Sequence, residues 1–310
     1  MTWRGQPLAS GLVALGVAVV AACGPTPTPG DAPVEFTVPD GAGFGQVVDT
    51  LEARGLVTRP TAFTLYARWK KLDREVKSGR YALTPGTDWA GLLDALTEGR
   101  VVTREITIPE GWTIRQIAPR IAAFTDRPVD EVEALLGDST AHRRYDVPGP
   151  GLEGYLFPET YRFADGTSPE TVVETMVQHY RDFWTPARRA RLAAMELDER
   201  GLTTLASIVQ AEARVADEMP RIAAVYHNRL RIGMLLQADP TVLYALGGPR
   251  ERLHYAAMDS VADSPYNTYT QPGLPPGPIG SPGAQALTAA LRPADDPALY
   301  FVAGPDGRHV

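Results

Sequence analysis

The sequence predicts an α+β protein built in two folded parts. Three observations predict it. Residues 34–108 alternate short strand-patterned and helix-patterned segments. Residues 109–310 carry a succession of amphipathic helices with little strand patterning. Both follow an apolar leader and a Pro-rich stretch. With 310 residues, 44% apolar and 22% charged, the chain has the length of about two domains and a composition that buries a core.

Residues 1–23, MTWRGQPLASGLVALGVAVVAAC, hold one early cation, Arg4, then an apolar run from Leu8 to Ala22. That run is shorter than the roughly twenty residues of a spanning helix and suits a secretory signal. It closes on Val20-Ala21-Ala22-Cys23. Small residues before the chain's one cysteine match a lipobox, in which Cys23 would carry the lipid. An uncleaved signal anchor is the alternative. Either one predicts a membrane tether at the N-terminus with the rest of the chain on the extracytoplasmic side. GPTPTPGDAP (24–33) is expected to be an extended, solvated linker.

In the first part, VEFTVP (34–39) alternates as a strand. Phe44, Val47, Val48 and Leu51 follow helical spacing, with Gly55 as a stop. A second helix is expected over 60–72, a strand over 78–84, a helix carrying Trp89, Leu92, Leu93 and Leu96, and a strand over 101–108. The order β-α-α-β-α-β defines a small α+β module at 34–108.

From 109 the spacing predicts helices from Thr113, then over 129–137, 168–184, 186–200, 203–214, 218–231 and 283–291, with a last strand at 298–303. HRRYDVPGPG (142–151) reads as a loop, and DSPYNTYTQPGLPPGPIGSPG (263–283) as a loop stiffened by prolines.

The net charge of −7 leaves no basic face for nucleic acid. One cysteine permits no internal disulfide, and five scattered histidines show no metal-ligand spacing.

The chemistry concentrates after residue 203. In TTLASIVQAEAR, Leu205, Ile208, Val209 and Glu212 share one helical face, so Glu212 continues an apolar stripe. A carboxyl placed there is desolvated and suited to general-acid work. Pairing with Arg214 at the edge of the stripe is the alternative. Glu218, in ADEMP, reads as an ordinary charge at the start of the next helix. There Ile222, Val225, Tyr226 and Leu230 form a buried face beside polar His227, Asn228, Arg229 and Arg231. Asn228 and Gln237 have amides suited to sugar hydroxyls, and Asp239 is placed to cap the segment after it. Tyr266, Asn267 and Tyr269 stand on the Pro-rich loop as a wall for a glycan groove. Glu153 and Glu159, in LEGYLFPETYRF, are carboxylates among aromatics, open to contacting substrate or to starting a helix.

Taken together, ASIVQAEA, then ADEMPRIAAVYHNRLRIGMLLQADPTVLYALG, then SPYNTYTQPGLPPGPIGSPG, with LEGYLFPETY upstream, resemble the YceG-like (MltG) family of endolytic murein transglycosylases. The likeness runs from about residue 34 to the end. It implies a LysM-like module at 34–108 and an α+β catalytic domain at 109–310, acting on peptidoglycan glycan strands beside cell-wall synthases, with no cofactor and no metal. It also implies that Glu212 is the catalytic acid, and that Asn228, Gln237, Asp239, Tyr266, Asn267, Tyr269 and Glu153 contact substrate. Three departures stand out. The family's first glutamate of the helix motif is Gln210 here. Its sequences run on past a stretch like GRHV, where this chain stops at Val310. They carry a spanning anchor where this chain offers a lipobox at Cys23. Two other functions fit the same residues. One is a non-catalytic peptidoglycan-binding scaffold lipoprotein. The other is a muramidase, which would need a second carboxylate about 5–9.5 Å from Glu212, with Glu153, Glu159 and Asp239 as candidates.

Overall fold

The computed structural model describes residues 32–250, 253–302 and 304; the predicted signal or anchor, Cys23 and nearly all of the linker lie outside them. Among the described residues no helix is long and apolar enough to cross a membrane. The chain divides into two compact units, with the boundary between Val102 and Thr103.

The first unit runs β1 (Val34–Val38), α1 (Phe44–Ala53), α2 (Pro60–Lys70), β2 (Gly79–Leu83) and α3 (Trp89–Glu98). β1 and β2 pair antiparallel, with Phe36 opposite Tyr81 and their rings stacked at 5.5 Å. Strand alternation sends Phe36 and Val38 inward, where Val47, Val48 and Leu51 of α1, Phe63 of α2 and Leu92, Leu93 and Leu96 of α3 meet them. The Tyr81 hydroxyl is buried with the ring and donates to the carbonyls of Lys77 and Leu96. Asp88 caps α3 by accepting from the Gly91 N–H.

The second unit opens with β3 (Thr103–Thr107), followed by α4 (Ile114–Thr125), α5 (Val129–Gly137), α6 (Ala141–Arg144), β4 (Thr160–Ala164), α7 (Pro169–Phe183), α8 (Pro186–Ala193), α9 (Glu199–Glu212), α10 (Met219–Arg231), α11 (Asp239–Ala245), α12 (Tyr255–Asp259) and α13 (Ala284–Leu291). Its core is a layer of helices in which α9 packs against both α10 and α13. Leu202, Leu205, Ile208 and Val209 of α9 are fully buried there.

Three expectations are corrected. The strand expected over 101–108 is divided: Val101 makes an isolated antiparallel bridge to Tyr81 in the first unit, and the strand proper is β3. It pairs antiparallel with β4, Ile106 opposite Tyr161, inside the second unit. β4 itself lies in a segment read only for its carboxylates. The helix over 203–214 starts four residues earlier, because the Asp198 carboxylate accepts from the Gly201 N–H at 2.7 Å and caps it. The final strand over 298–303 does not form in the described residues. The carbonyls of Asp296 and Ala298 accept from the Asn228 side chain and that of Leu299 from Arg229, so side chains take the bonds a sheet would have used.

Candidate active site

Glu212 is the last residue of α9. The apolar stripe that predicted its burial is buried through Val209, but the helix emerges after that point and Glu212 is half-buried at its mouth. Tyr226, on the neighbouring α10, donates its hydroxyl to Glu212 Oε1 at 3.0 Å. Burial, and then the adjoining carboxylate, push the Tyr226 hydroxyl far above its ordinary range, so it stays a donor. The Tyr226 ring meets Phe301 edge-on at 5.7 Å, which fixes the direction of the hydroxyl. Reading Tyr226 as core is right for the ring. A buried tyrosine hydroxyl needs a partner, and that need was the available signal for its second role.

The other polar residues of the same motif hold the Pro-rich loop. Ser207 Oγ accepts from the Ile279 N–H and Gln210 Oε1 from the Gly283 N–H, each at 3.0 Å. Ser207 and Gln210 lie one turn apart, so one helical face grips the turn 279–283. The turn approaches so closely that a Cβ on Gly283 would sit 1.9 Å from Glu110 Oε1. Since the task at position 210 is to accept from a backbone N–H, glutamine meets it as glutamate would.

Across the mouth of α9, Tyr269 donates to Asp239 Oδ1 at 2.5 Å. Its hydroxyl is pushed up by burial, then by that bond and by the negative charges of Asp239 and Glu212, which brings Glu212, Tyr269 and Asp239 into one electrostatic neighbourhood. Gln237 is exposed with φ +49°, a left-handed turn held by its N–H bond to the Thr268 carbonyl. Thr268 Oγ1 in turn accepts from the Ala238 N–H at 2.9 Å.

Two pockets adjoin along this face, both lined by Arg115 and Tyr244. The one lined by Ala211, the residue before Glu212 in the chain, holds ≈ 330 Å³, and neither lining includes Glu212. The other, at Glu153 and Tyr266, holds ≈ 550 Å³. Glu153 accepts from the Ile114 N–H at the start of α4 at 3.1 Å and from the Tyr244 hydroxyl at 3.1 Å. Burial outweighs these bonds and raises its carboxyl from 4.5 to about 7. Tyr244 and Tyr266 stand ring to ring at 4.9 Å. The backbone after Glu153 is constrained, since Gly154 has φ +85° and a Cβ there would meet Pro278 at 2.3 Å.

Of the residues expected to touch substrate, then, Tyr269 feels the charge of Glu212 and bonds Asp239, Gln237 is tied to the neighbouring Thr268, and Glu153 and Tyr266 line one pocket. Two have internal work instead. The Asn228 amide is spent on the carbonyls of Asp296 and Ala298 and on Arg231, and the Asn267 side chain bonds the backbone of Met258, Val261 and Tyr269. Glu218, read as an ordinary charge at the start of the next helix, does stand at the start of α10, but it is 5% exposed and accepts from the N–H groups of Arg214 and Val215 just after the mouth of α9. Arg115 and Tyr244 were not singled out by sequence patterning, because each is an unremarkable residue on its own helix. Among the described residues no cluster of His, Cys, Asp or Glu could hold a metal ion.

The description of the YceG-like family matches residues 36–310. The chain is 33% identical over 293 residues to an endolytic murein transglycosylase of Bacillus subtilis (strain 168), covering 89% of this chain and 80% of that one. It is 32% identical over 299 residues to an endolytic murein transglycosylase of Streptococcus pneumoniae serotype 2 (strain D39 / NCTC 7466), covering 87% of this chain but 54% of that one. Among solved structures, a yceG-like protein from Listeria monocytogenes superposes with a TM-score of 0.61 at 31% identity, covering 90% of this chain and 95% of the other.

Proposed function

The chain belongs to the YceG-like family, and from that premise we propose that it is an endolytic peptidoglycan lytic transglycosylase with Glu212 as its one catalytic carboxyl. The observation that carries the reading is the pair Glu212–Tyr226 at the open end of α9.

Glu212 in its acid form gives its proton to the glycosidic oxygen between MurNAc and GlcNAc, and the C1–O bond breaks. The resulting carboxylate then takes the proton of the C6 hydroxyl of the same MurNAc as that oxygen bonds to C1. The products are a 1,6-anhydroMurNAc end and a GlcNAc with a free hydroxyl. One carboxyl serves as acid and then as base, and no water is consumed. The attack is intramolecular, so its effective molarity is high. The Tyr226 hydroxyl steadies the carboxylate form between the two transfers. Tyr269, Asp239 and Gln237 offer polar contacts to the sugars near Glu212, and the pocket of Tyr244, Tyr266 and Glu153 takes the strand further along.

A muramidase needs a second carboxylate free to face the bond. Glu153 is committed to the N-terminus of α4 and to Tyr244, and Asp239 opens α11 and accepts from Tyr269. Glu159 lies exposed just before β4, and its carbonyl accepts from the Ile108 N–H. These placements favour the single-carboxyl mechanism. The first unit is read as a LysM-like module; two helices between antiparallel strands support this. The N-terminal segment tethers both units to the membrane on its extracytoplasmic side, where nascent strands and their synthases lie.

The test is mass spectrometry of purified peptidoglycan treated with the chain and with its Glu212→Gln variant. Ends of 1,6-anhydroMurNAc that vanish with the variant support the reading. Reducing MurNAc ends would make the chain a hydrolase. Binding without products from either protein would leave the scaffold.

A further inference from the structure

The first unit exposes a surface that its own core does not explain. On α2, Phe63 and Ala67 face inward and are fully buried, whereas Leu65 and Trp69 are 63% and 73% exposed. Leu65 and Trp69 are four residues apart and so lie on one outward face. An exposed Trp and Leu on one face are water-facing apolar area that the fold leaves unclaimed. The Trp69 ring centroid is 6.1 Å from that of Tyr66, and Lys70 Nζ stands 4.9 Å from it.

Charge singles out the same region. Residues 59–77 carry Arg59, Arg68, Lys70, Lys71, Arg74 and Lys77 against Asp73 and Glu75, a net of +4 in a chain whose total is −7. Arg68, Lys70 and Lys71 are all exposed beside Trp69. A tryptophan with a leucine, ringed by cations, matches an anionic bilayer surface: the indole sits at headgroup level and the ammonium groups meet the lipid phosphates.

Reach permits the contact. Residues 24–33, four of them proline, span about 30 Å when extended, close to the diameter of a unit of this length. A tether of that reach lets the first unit present α2 to the membrane that holds the N-terminus.

We infer that Leu65, Trp69 and the cations Arg68, Lys70 and Lys71 dock the first unit onto an anionic lipid surface, laying α2 along the membrane. This rests on the N-terminal tether and not on the transglycosylase reading. Docking would fix the height of the first unit above the bilayer.

The full chain is reconstituted into vesicles of phosphatidylcholine with phosphatidylglycerol, and into phosphatidylcholine alone, with brominated lipid as a tryptophan quencher. Quenching is compared with that of Trp69→Phe, so that the other tryptophans cancel. The expected result is a quenchable Trp69 signal in the anionic vesicles only, with the docking equilibrium lowered about fivefold by each of Lys70→Gln and Lys71→Gln. Trp69→Phe is a surface change and should leave circular dichroism and cleavage of glycan in detergent unaltered. Equal quenching in wild type and Trp69→Phe overturns the proposal, as does a chain that fails to float with the vesicles. Shielding of Trp69 from aqueous iodide by purified glycan strands, without lipid, would assign the face to sugar instead and also overturn it. Loss of cleavage with docking intact would strike only the catalytic reading.

Discussion

The Tyr226 hydroxyl lies 3.0 Å from Glu212 Oε1, joining the C-terminal end of α9 to the middle of α10 at one carboxylate. α9 supplies the acid and α10 supplies its donor, while Phe301 braces the tyrosine ring from the far side. Tyr226→Phe keeps the ring and its packing and removes only the donor. Hydrogen bonds to a charged group are worth about 1.5–3 kcal/mol, so kcat should fall about 10–100-fold with KM little changed. Steady-state kinetics on defined glycan strands checks this. A matching fall in thermal stability would show that the hydroxyl serves the fold instead.

Glu153 predicts a stability profile. Burial raises its folded carboxyl to about 7 from 4.5. Between those values the folded state holds a proton that the unfolded chain has released, so stability falls as pH rises through that window and levels off above it. The full effect is on the order of 3 kcal/mol. Glu153→Gln retains a side-chain oxygen for the Ile114 N–H and cannot ionise. Its urea midpoint should hold steady between pH 5 and 7.5, while that of the wild type drops; parallel profiles would refute the assignment.

Asn228 distinguishes structural from substrate roles. Its amide donates to the carbonyls of Asp296 and Ala298 at 2.8 and 2.9 Å, and its side chain is buried. Asn228→Ala should cost about 1–3 kcal/mol by denaturant titration, since two half-buried carbonyls lose their donor. Activity per folded molecule should stay near wild type. A raised KM at full stability would return Asn228 to the substrate.

What the sequence disclosed follows from what local pattern encodes. Helical periodicity found α9 and its stripe, and with them Glu212, because burial of Leu205, Ile208 and Val209 is a property of one helix. Pairing across distance is not encoded in that way. β3 reads as a strand in isolation, but nothing in TREIT says that its partner lies in the second unit at Thr160–Ala164. Asn228 and Asn267 look like sugar ligands in sequence because an amide's chemistry is the same whether a hydroxyl or a carbonyl answers it. The carbonyls around 296–299 and 258–261 are what these two amides bond within the fold. Glu218 stands at a helix start as its sequence says, but its burial is not legible there, because a helix-start carboxylate serves equally on the surface or buried beneath a turn.

Gln210 offers the last prediction, since it stands where the resemblance would place glutamate. Its Oε1 accepts from the Gly283 N–H at 3.0 Å, and Glu110 presses against the same glycine. Gln210→Ala leaves that N–H without its acceptor, at a cost of about 1–2 kcal/mol, and releases one of two side-chain ties on the turn 279–283. The turn also trades backbone bonds with residues 111 and 112, so its loosening should raise KM more than it lowers kcat. Gln210→Glu preserves the acceptor but brings a second negative charge toward Glu110. Its cost should be under about 1 kcal/mol and should shrink in high salt, where exposed charges are screened. Measuring both variants at low and high ionic strength separates the two causes. A salt-insensitive loss in Gln210→Glu, as large as that in Gln210→Ala, would mean that the neutral amide matters for its N–H groups and not for its oxygen.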